Sequence, residues 1–319
     1  MRLNMEPRPV LAVCLNPAWQ KILTFRRLRH GEVNRATMLQ ECGGGKGVNV
    51  VRVLRRLKLP AAAAVFRGGD SGRKLLAELT AAGAEVLSVA TSGQTRTCIT
   101  VISQENREVT ELIEPSNPVT PAETSALREL LVPALGRFGA VALSGTTPPG
   151  VDGGVYAGVA ARARAVGVPV VLDAVKDIEE TLQAGVAVLK VNAGELRQVA
   201  GVDDLRQGAE RVLADFPGVG AVAVTAGPAP AWLFVGREVW RLTLPELPGA
   251  MVSAIGGGDC TTAILARRLA EDHDLRRLPD YFREALACAS ASCLTEIPAV
   301  FEPEVASGLY AHVAVERVT

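Results

Sequence analysis

VPVVLDAVKDIEETLQAGVAVLKVNAGELRQVA, residues 168–200, holds two apolar runs of strand length, at 168–173 and 186–191, and a helical pattern at 195–200. Continuous rather than alternating apolar runs suit strands buried on both faces of a sheet. The same grammar extends both ways along the chain. Further runs stand at 10–14, 141–144 and 219–225, and helical patterns at 47–57, 122–131, 153–165 and 204–214. This βαβα order predicts an α/β protein with a mostly parallel central sheet and helices on both faces. Ligands of such sheets sit beyond the carboxyl ends of the strands, where Ser144, Asp173, Asn192 and Thr225 would gather.

Two stretches depart from that grammar. Residues 21–39 and 95–113 mix β-branched and polar residues with the alternation of exposed antiparallel strands. They predict a small accessory sheet, with strands from about 20–40 and 95–113, that covers the site. No repeat or linker divides the chain, so residues 1–319 read as one domain.

Two glycine-rich segments carry the chemistry. In SAIGGGDCTTA, residues 253–263, Gly256, Gly257 and Gly258 run into Asp259 and then into a helical stretch at 260–269. Converging backbone N–H groups and a helix start make an anion cradle. A carboxylate beside it suits phosphoryl transfer, because the amides stabilise charge while the carboxylate orients and deprotonates a hydroxyl. A plain glycine turn with an Asp near a helix start fits the same letters. The second segment, GGGKGVNV at 43–50, is not a phosphate loop of the GxxxxGK[ST] kind, since Gly47 follows Lys46 where Ser or Thr should stand. It is a glycine turn entering a helix. Lys46 offers a cation and Asn49 a donor and an acceptor, which suits a polyhydroxylated anion, although a solvent-facing lysine on a tight turn reads equally well.

Composition narrows the classes. With 34 basic and 34 acidic residues the chain has no electrostatic footprint for nucleic acid or an anionic membrane. Its apolar runs fall far short of a membrane span, and residues 1–10 lack the apolar core of a signal peptide. Six dispersed cysteines and three isolated histidines offer no zinc spacing and suit a reducing compartment. The expectation is a soluble cytoplasmic protein.

Read together, the segments resemble the PfkB family of ribokinase-type carbohydrate kinases, closest to the 1-phosphofructokinase and tagatose-6-phosphate kinase branch. The marks are LNPA at 15–18, GEVNRA at 31–36, GGKGVNVVRVL at 44–54, TR at 95–96, SGTTPPGV at 144–151, LKVNAGEL at 189–196 and IGGGD at 255–259. The resemblance implies a ribokinase-like three-layer fold with a small β lid, and ATP and Mg2+ as cofactors. It implies that Asp259 is the catalytic base and Gly256, Gly257 and Gly258 the anion hole. Gln20, Gly44, Gly45, Lys46, Asn49 and Ser144 fall at substrate-contacting positions, and Arg96 at the position that pairs with an existing substrate phosphate. Lys190, Thr225 and Gly227 fall at nucleotide positions. Asn192 and Glu195 match an NxxE element acting on magnesium, largely through water, though Asn as helix cap and Glu closing a capping box fit the same letters. The helix dipole should hold Asp259 ionised. The resemblance also implies a homodimer paired through the lid.

Several residues depart from the family. Gln20 replaces a common aspartate, and losing a charged acceptor is worth about 1.5–3 kcal/mol for that contact. Trp19 beside it reads as an apolar cover on the core. Gly257 stands where alanine is frequent, and Cys260, at a helix start, is either a thiol of lowered pKa or an inert buried one. GPAPA at 227–231 lacks the second glycine usual in the nucleotide loop. The leading function is phosphorylation of a sugar phosphate by Mg-ATP, with fructose 1-phosphate, tagatose 6-phosphate and fructose 6-phosphate as the ketohexose candidates. A kinase of an unphosphorylated sugar or nucleoside, and a degenerate sugar-phosphate or nucleotide sensor, are the alternatives.

Overall fold

A computed structural model describes residues 8–318. The reading of the first ten residues therefore lies mostly outside the described part. The apolar runs become β1 (Val10–Cys14), β8 (Ala140–Ser144), β9 (Val170–Asp173), β10 (Val188–Asn192) and β11 (Ala221–Ala226). With β4 (Ala61–Arg67) and β5 (Glu85–Ala90) they form a parallel sheet in the order β5-β4-β1-β8-β9-β10-β11. Three antiparallel strands extend it beyond β11: β12 (Ala229–Val235), β13 (Glu238–Thr243) and β14 (Ala314–Arg317). This hairpin edge was not anticipated from the sequence.

Side chains alternate between two cores. Val10, Ala12 and Cys14 face α1 (Lys46–Arg56), α2 (Gly69–Ala81), α8 (Gly257–Asp272), α9 (Leu278–Ser292) and α10 (Pro303–Tyr310). Leu11, Val13 and Leu15 face α3 (Pro121–Ala134), α4 (Gly154–Ala165), α5 (Glu179–Ala184), α6 (Ala193–Ala200) and α7 (Leu205–Asp215). Burial on both faces is why these strands read as unbroken apolar runs. The strand order runs outward from β1 in one direction through β4 and β5 and in the other through β8 to β11. The crevice at the carboxyl ends, where the order reverses, is where such sheets hold ligands.

A second sheet, in the order β3-β2-β6-β7, is built from β2 (Ala18–Phe25), β3 (Met38–Gly44), β6 (Arg96–Ser103) and β7 (Glu108–Ile113). Its strands differ from the expectation in two ways. Residues 26–37, inside the stretch read as strand, form turns and loop. The central pair β2/β6 is parallel, and only its flanking pairs are antiparallel. Parallel pairing arises because each strand leaves a neighbouring, parallel region of the large sheet in the same direction. Trp19 packs in the main core, as its apolar character suggested, with Lys74 over its ring and its indole N–H donated to Glu41.

Candidate active site

The glycines of the 253–263 segment lie further into the helix than their sequence suggests. Helix α8 begins at Gly257, so Gly257, Gly258 and Asp259 form its first turn and Gly256 is its N-cap. First-turn N–H groups have no intrahelical partner, the arrangement an anion cradle needs, and the Gly257 N–H here donates to Ala254 O at 3.4 Å. Gly256 holds φ at +87°, and a Cβ there would lie 2.4 Å from the Ala299 backbone nitrogen. A Cβ on Gly258 would lie 2.6 Å from Lys190 Nζ, whereas one on Gly257 would meet its nearest atom at 3.7 Å. The three positions should therefore respond differently to alanine. Gly256→Ala is expected to lose both stability and turnover, Gly258→Ala to keep its fold and lose turnover as the Lys190 ammonium is displaced, and Gly257→Ala to stay near wild type. Urea unfolding and steady-state rates on the three variants check this.

Asp259 is buried, and its Oδ2 accepts a 2.7 Å hydrogen bond from Asn49 Nδ2, so the second glycine segment meets the first. Burial, followed by the nearby charge of Asp173, raises its pKa to about 6, outweighing the Asn49 hydrogen bond and the ammonium groups of Lys190 and Lys46. The helix start alone would lower the pKa; burial raises it instead, and the carboxyl is still ionised at neutral pH. Desolvation of the charged form wins.

Asp173, which sequence reasoning placed at the strand ends without a role, is the hub. Its Oδ1 accepts from Lys46 Nζ at 2.7 Å, and its Oδ2 from Lys190 Nζ at 3.1 Å and from Thr262 Oγ1 at 2.8 Å. Burial alone would raise the Asp173 pKa, but the Lys190 and Lys46 charges overcome it and hold the carboxyl below its ordinary value. Lys46 also donates to Glu195 Oε1 at 3.2 Å. Burial would lower the Lys46 pKa, yet Asp173 and Glu195 keep it raised.

Asn192 and Glu195 form the reciprocal capping box of α6. Glu195 N–H donates to Asn192 Oδ1 and Asn192 N–H to Glu195 Oε2, both at 2.8 Å. The cap and the link from Glu195 to Lys46 coexist, each carboxylate oxygen taking one of these partners and retaining capacity for water. Asn192 is exposed and Glu195 partly so. Among the described residues no group of three or more His, Cys, Asp or Glu is placed to enclose a metal ion.

The remaining predicted residues sort by position. Ser144 and Asp173 are register partners, as are Asn192 and Thr225, so the four strand ends do assemble. The Ser144 Oγ is buried without a hydrogen-bond partner. Gly45 caps α1, and Gly44, Ala18 and Arg96 lie abreast in the small sheet. Arg96 Nη2 donates to Asn16 O at 3.3 Å while its Nε is buried and unpaired, in a recess shared with Asn16 and Ser116. Gln20 Nε2 donates to Thr100 Oγ1 at 2.6 Å, and its Oε1 lies beside Gly44. Thr225 falls at an irregularity in the β11–β12 pairing, and Gly227 with Pro228 makes a two-residue turn. The GPAPA segment is thus the tight turn of the β11–β12 hairpin and the first residues of β12. Cys260 is fully buried and its thiol pKa is pushed up by desolvation, so the inert reading holds.

The sequence pattern of the pfkB family carbohydrate kinases matches residues 17–303. The chain belongs to the PfkB family. As a PfkB member it is a carbohydrate kinase, a phosphotransferase with an alcohol acceptor. Solved structures share its fold at low identity. A possible 1-phosphofructokinase from Thermotoga maritima superposes with a TM-score of 0.86 at 22% identity, covering 97% of this chain and 99% of the other. Phosphofructokinase-2 from Escherichia coli, in complex with potassium, gives 0.84 at 22% identity, over 95% and 98%. Arabidopsis thaliana ribokinase, complexed with ribose and ATP, gives 0.72 at 22% identity, over 96% and 99%. No helix among the described residues is long and apolar enough to cross a membrane.

Proposed function

We propose that this kinase transfers the γ-phosphoryl group of Mg-ATP to a hydroxyl of a sugar that already carries a phosphate, with fructose 1-phosphate, tagatose 6-phosphate and fructose 6-phosphate as the candidates. The observation that carries this reading is Arg96, a permanent cation whose Nε is buried without a partner beside Asn16 and Ser116. A guanidinium left in that condition is matched by a phosphate. Gln20 keeps an acceptor for a sugar hydroxyl, because Thr100 takes its Nε2 and leaves Oε1. In place of a lost charge the site offers a carbonyl.

Asp259 then acts as general base. A pKa near 6 leaves it ionised at neutral pH and close enough to that pH to accept a proton usefully. The amides of the Gly256 cap and of first-turn Gly257 and Gly258, with Lys190 against Gly258, stabilise charge on the migrating group. Lys46, held by Asp173 and Glu195, lies at the entry to α1 facing the acceptor. Thr225 and Gly227 contact the nucleotide. Asn192 and Glu195 would hold magnesium through water, where it supplies charge neutralisation to the donor phosphates. The small sheet closes over the site as a lid and excludes water. Its edge strands expose Met38, Leu39, Leu112 and Ile113, each about half exposed, which supports a homodimer joined through the lids. Light scattering should give twice the chain mass, and a monomer mass at all concentrations would refute the pairing. Six unpaired cysteines, five of them buried, fit a cytoplasmic setting.

The test is ADP release from Mg-ATP across free sugars, nucleosides and sugar phosphates, with Asp259→Asn as the blank and Arg96→Ala alongside. Turnover confined to a sugar phosphate, with its KM raised at least about tenfold in Arg96→Ala, supports the reading. Turnover on a free sugar or nucleoside, with KM unchanged in Arg96→Ala, overturns it.

A further inference from the structure

Arg52 stands on α1 three residues beyond Asn49, so both side chains share one helix face. Its guanidinium makes four contacts and its side chain is only 14% exposed. Nη1 donates to Asn49 Oδ1 and, at 3.3 Å, to Pro298 O. Nη2 donates to Gly43 O and, at 3.1 Å, to Glu78 Oε1. The other Glu78 oxygen accepts the Gly43 N–H.

The direction of these bonds matters more than their number. A guanidinium has donors and no acceptor, so the atom of Asn49 that faces it must be the carbonyl oxygen. The amide nitrogen is thereby turned toward Asp259, where it donates to Oδ2. Flipped by half a turn, the same side chain would set its oxygen against the carboxylate, an arrangement tolerable only when Asp259 carries a proton. We infer that Arg52 is a positioning residue that locks the Asn49 amide as a donor to Asp259, so that one carboxylate oxygen stays engaged and the other is left for the acceptor hydroxyl. This rests on the reading of Asp259 as the base. Through Pro298 the same guanidinium holds the 298–299 segment, whose Ala299 nitrogen walls Gly256. Base and cradle are thus fixed by one side chain that touches neither.

Other groups face Asp259 as well: Asp173 from β9, Lys190 from β10, Lys46 and Asn49 from α1, and Cys14 from β1. Replacing Arg52 alters none of the charged groups among these; what it releases is the Asn49 amide. The experiment is kcat and KM against pH for Arg52→Lys and Arg52→Met, each alone and in an Asn49→Ala background, with Asp259→Asn in parallel. Arg52→Lys keeps the ion pair with Glu78, and with it the fold, but cannot form the planar fork. It is expected to lower kcat about tenfold with little change in KM, and to move the acid limb of kcat upward by about half a pH unit. Both effects should vanish when Asn49 is already alanine. A wild-type acid limb in Arg52→Lys, or the same shift with and without Asn49, overturns the inference while Asp259→Asn remains inactive. Turnover retained by Asp259→Asn would instead remove the base itself, and this inference with it.

Discussion

Asp259→Asn is expected to lower kcat by roughly 10²–10⁴-fold, with acceptor and nucleotide binding largely kept. The substitution preserves shape and the hydrogen bond from Asn49 but leaves no base. The wild-type rate should fall as pH drops through about 6, where the carboxyl takes up its proton. The same substitution should make the protein more stable. The folded pKa, about 6, lies above the ordinary 3.8, so the ionised form costs folding free energy in full above pH 6. That cost fades as pH falls toward 3.8. Thermal unfolding of Asp259→Asn should therefore show a gain that is larger at pH 8 than at pH 4. A loss of Tm at pH 8 would mean that Asp259 is held by favourable partners and not by desolvation. An unchanged kcat would mean that another group takes the proton.

Asp173→Asn should act in the opposite sense on stability. It removes the anion that lies between Lys46 and Lys190, and Lys190 is nearly inaccessible to solvent. Breaking a buried pair from one side costs about 3–5 kcal/mol, because the remaining charge is left uncompensated. Urea unfolding at pH 7 should show a loss of that order. In the wild type the Asp173 pKa is depressed, so its contribution is present above the ordinary 3.8 and lost as pH falls through the lower folded value. Any residual activity carries a second signature. With the Asp173 charge gone, a cause of the raised Asp259 pKa is gone too, and the acid limb should move to lower pH. A stable Asp173→Asn protein with an unmoved limb would show that the two carboxyls do not interact.

Much of this arrangement is legible in the letters. Strands buried on both faces announce themselves as unbroken apolar runs, and 10–14 marks β1 to the residue. The glycine segments and the NxxE element are local features, so each is readable alone. What joins them is not local. Asp173 reads as the end of a strand, and only the parallel register and the approach of α1 and α8 give it Lys46, Lys190 and Thr262. Arg52 looks like a solvated helix residue until Asn49, Gly43, Glu78 and Pro298 converge on it. The raised pKa of Asp259 is not readable from the helix dipole, because burial is a property of the whole packed site. The β11–β12 hairpin went unread since its turn, Gly227 and Pro228, looked like a ligand loop.

The parallel pairing of β2 with β6 has a kinetic consequence. Ala18 and Arg96 are neighbours in the small sheet although most of a βαβ layer separates them in sequence. β2 follows β1 after three residues and β6 follows β5 after five, so their alignment is inherited from β1, β4 and β5. Such a pairing closes a long loop, and it can zip only after that scaffold has formed. The small sheet should be the last part of the chain to assemble during refolding and the first to open in the native state. Its amide protons should exchange as one group, ahead of those in β1 and β8.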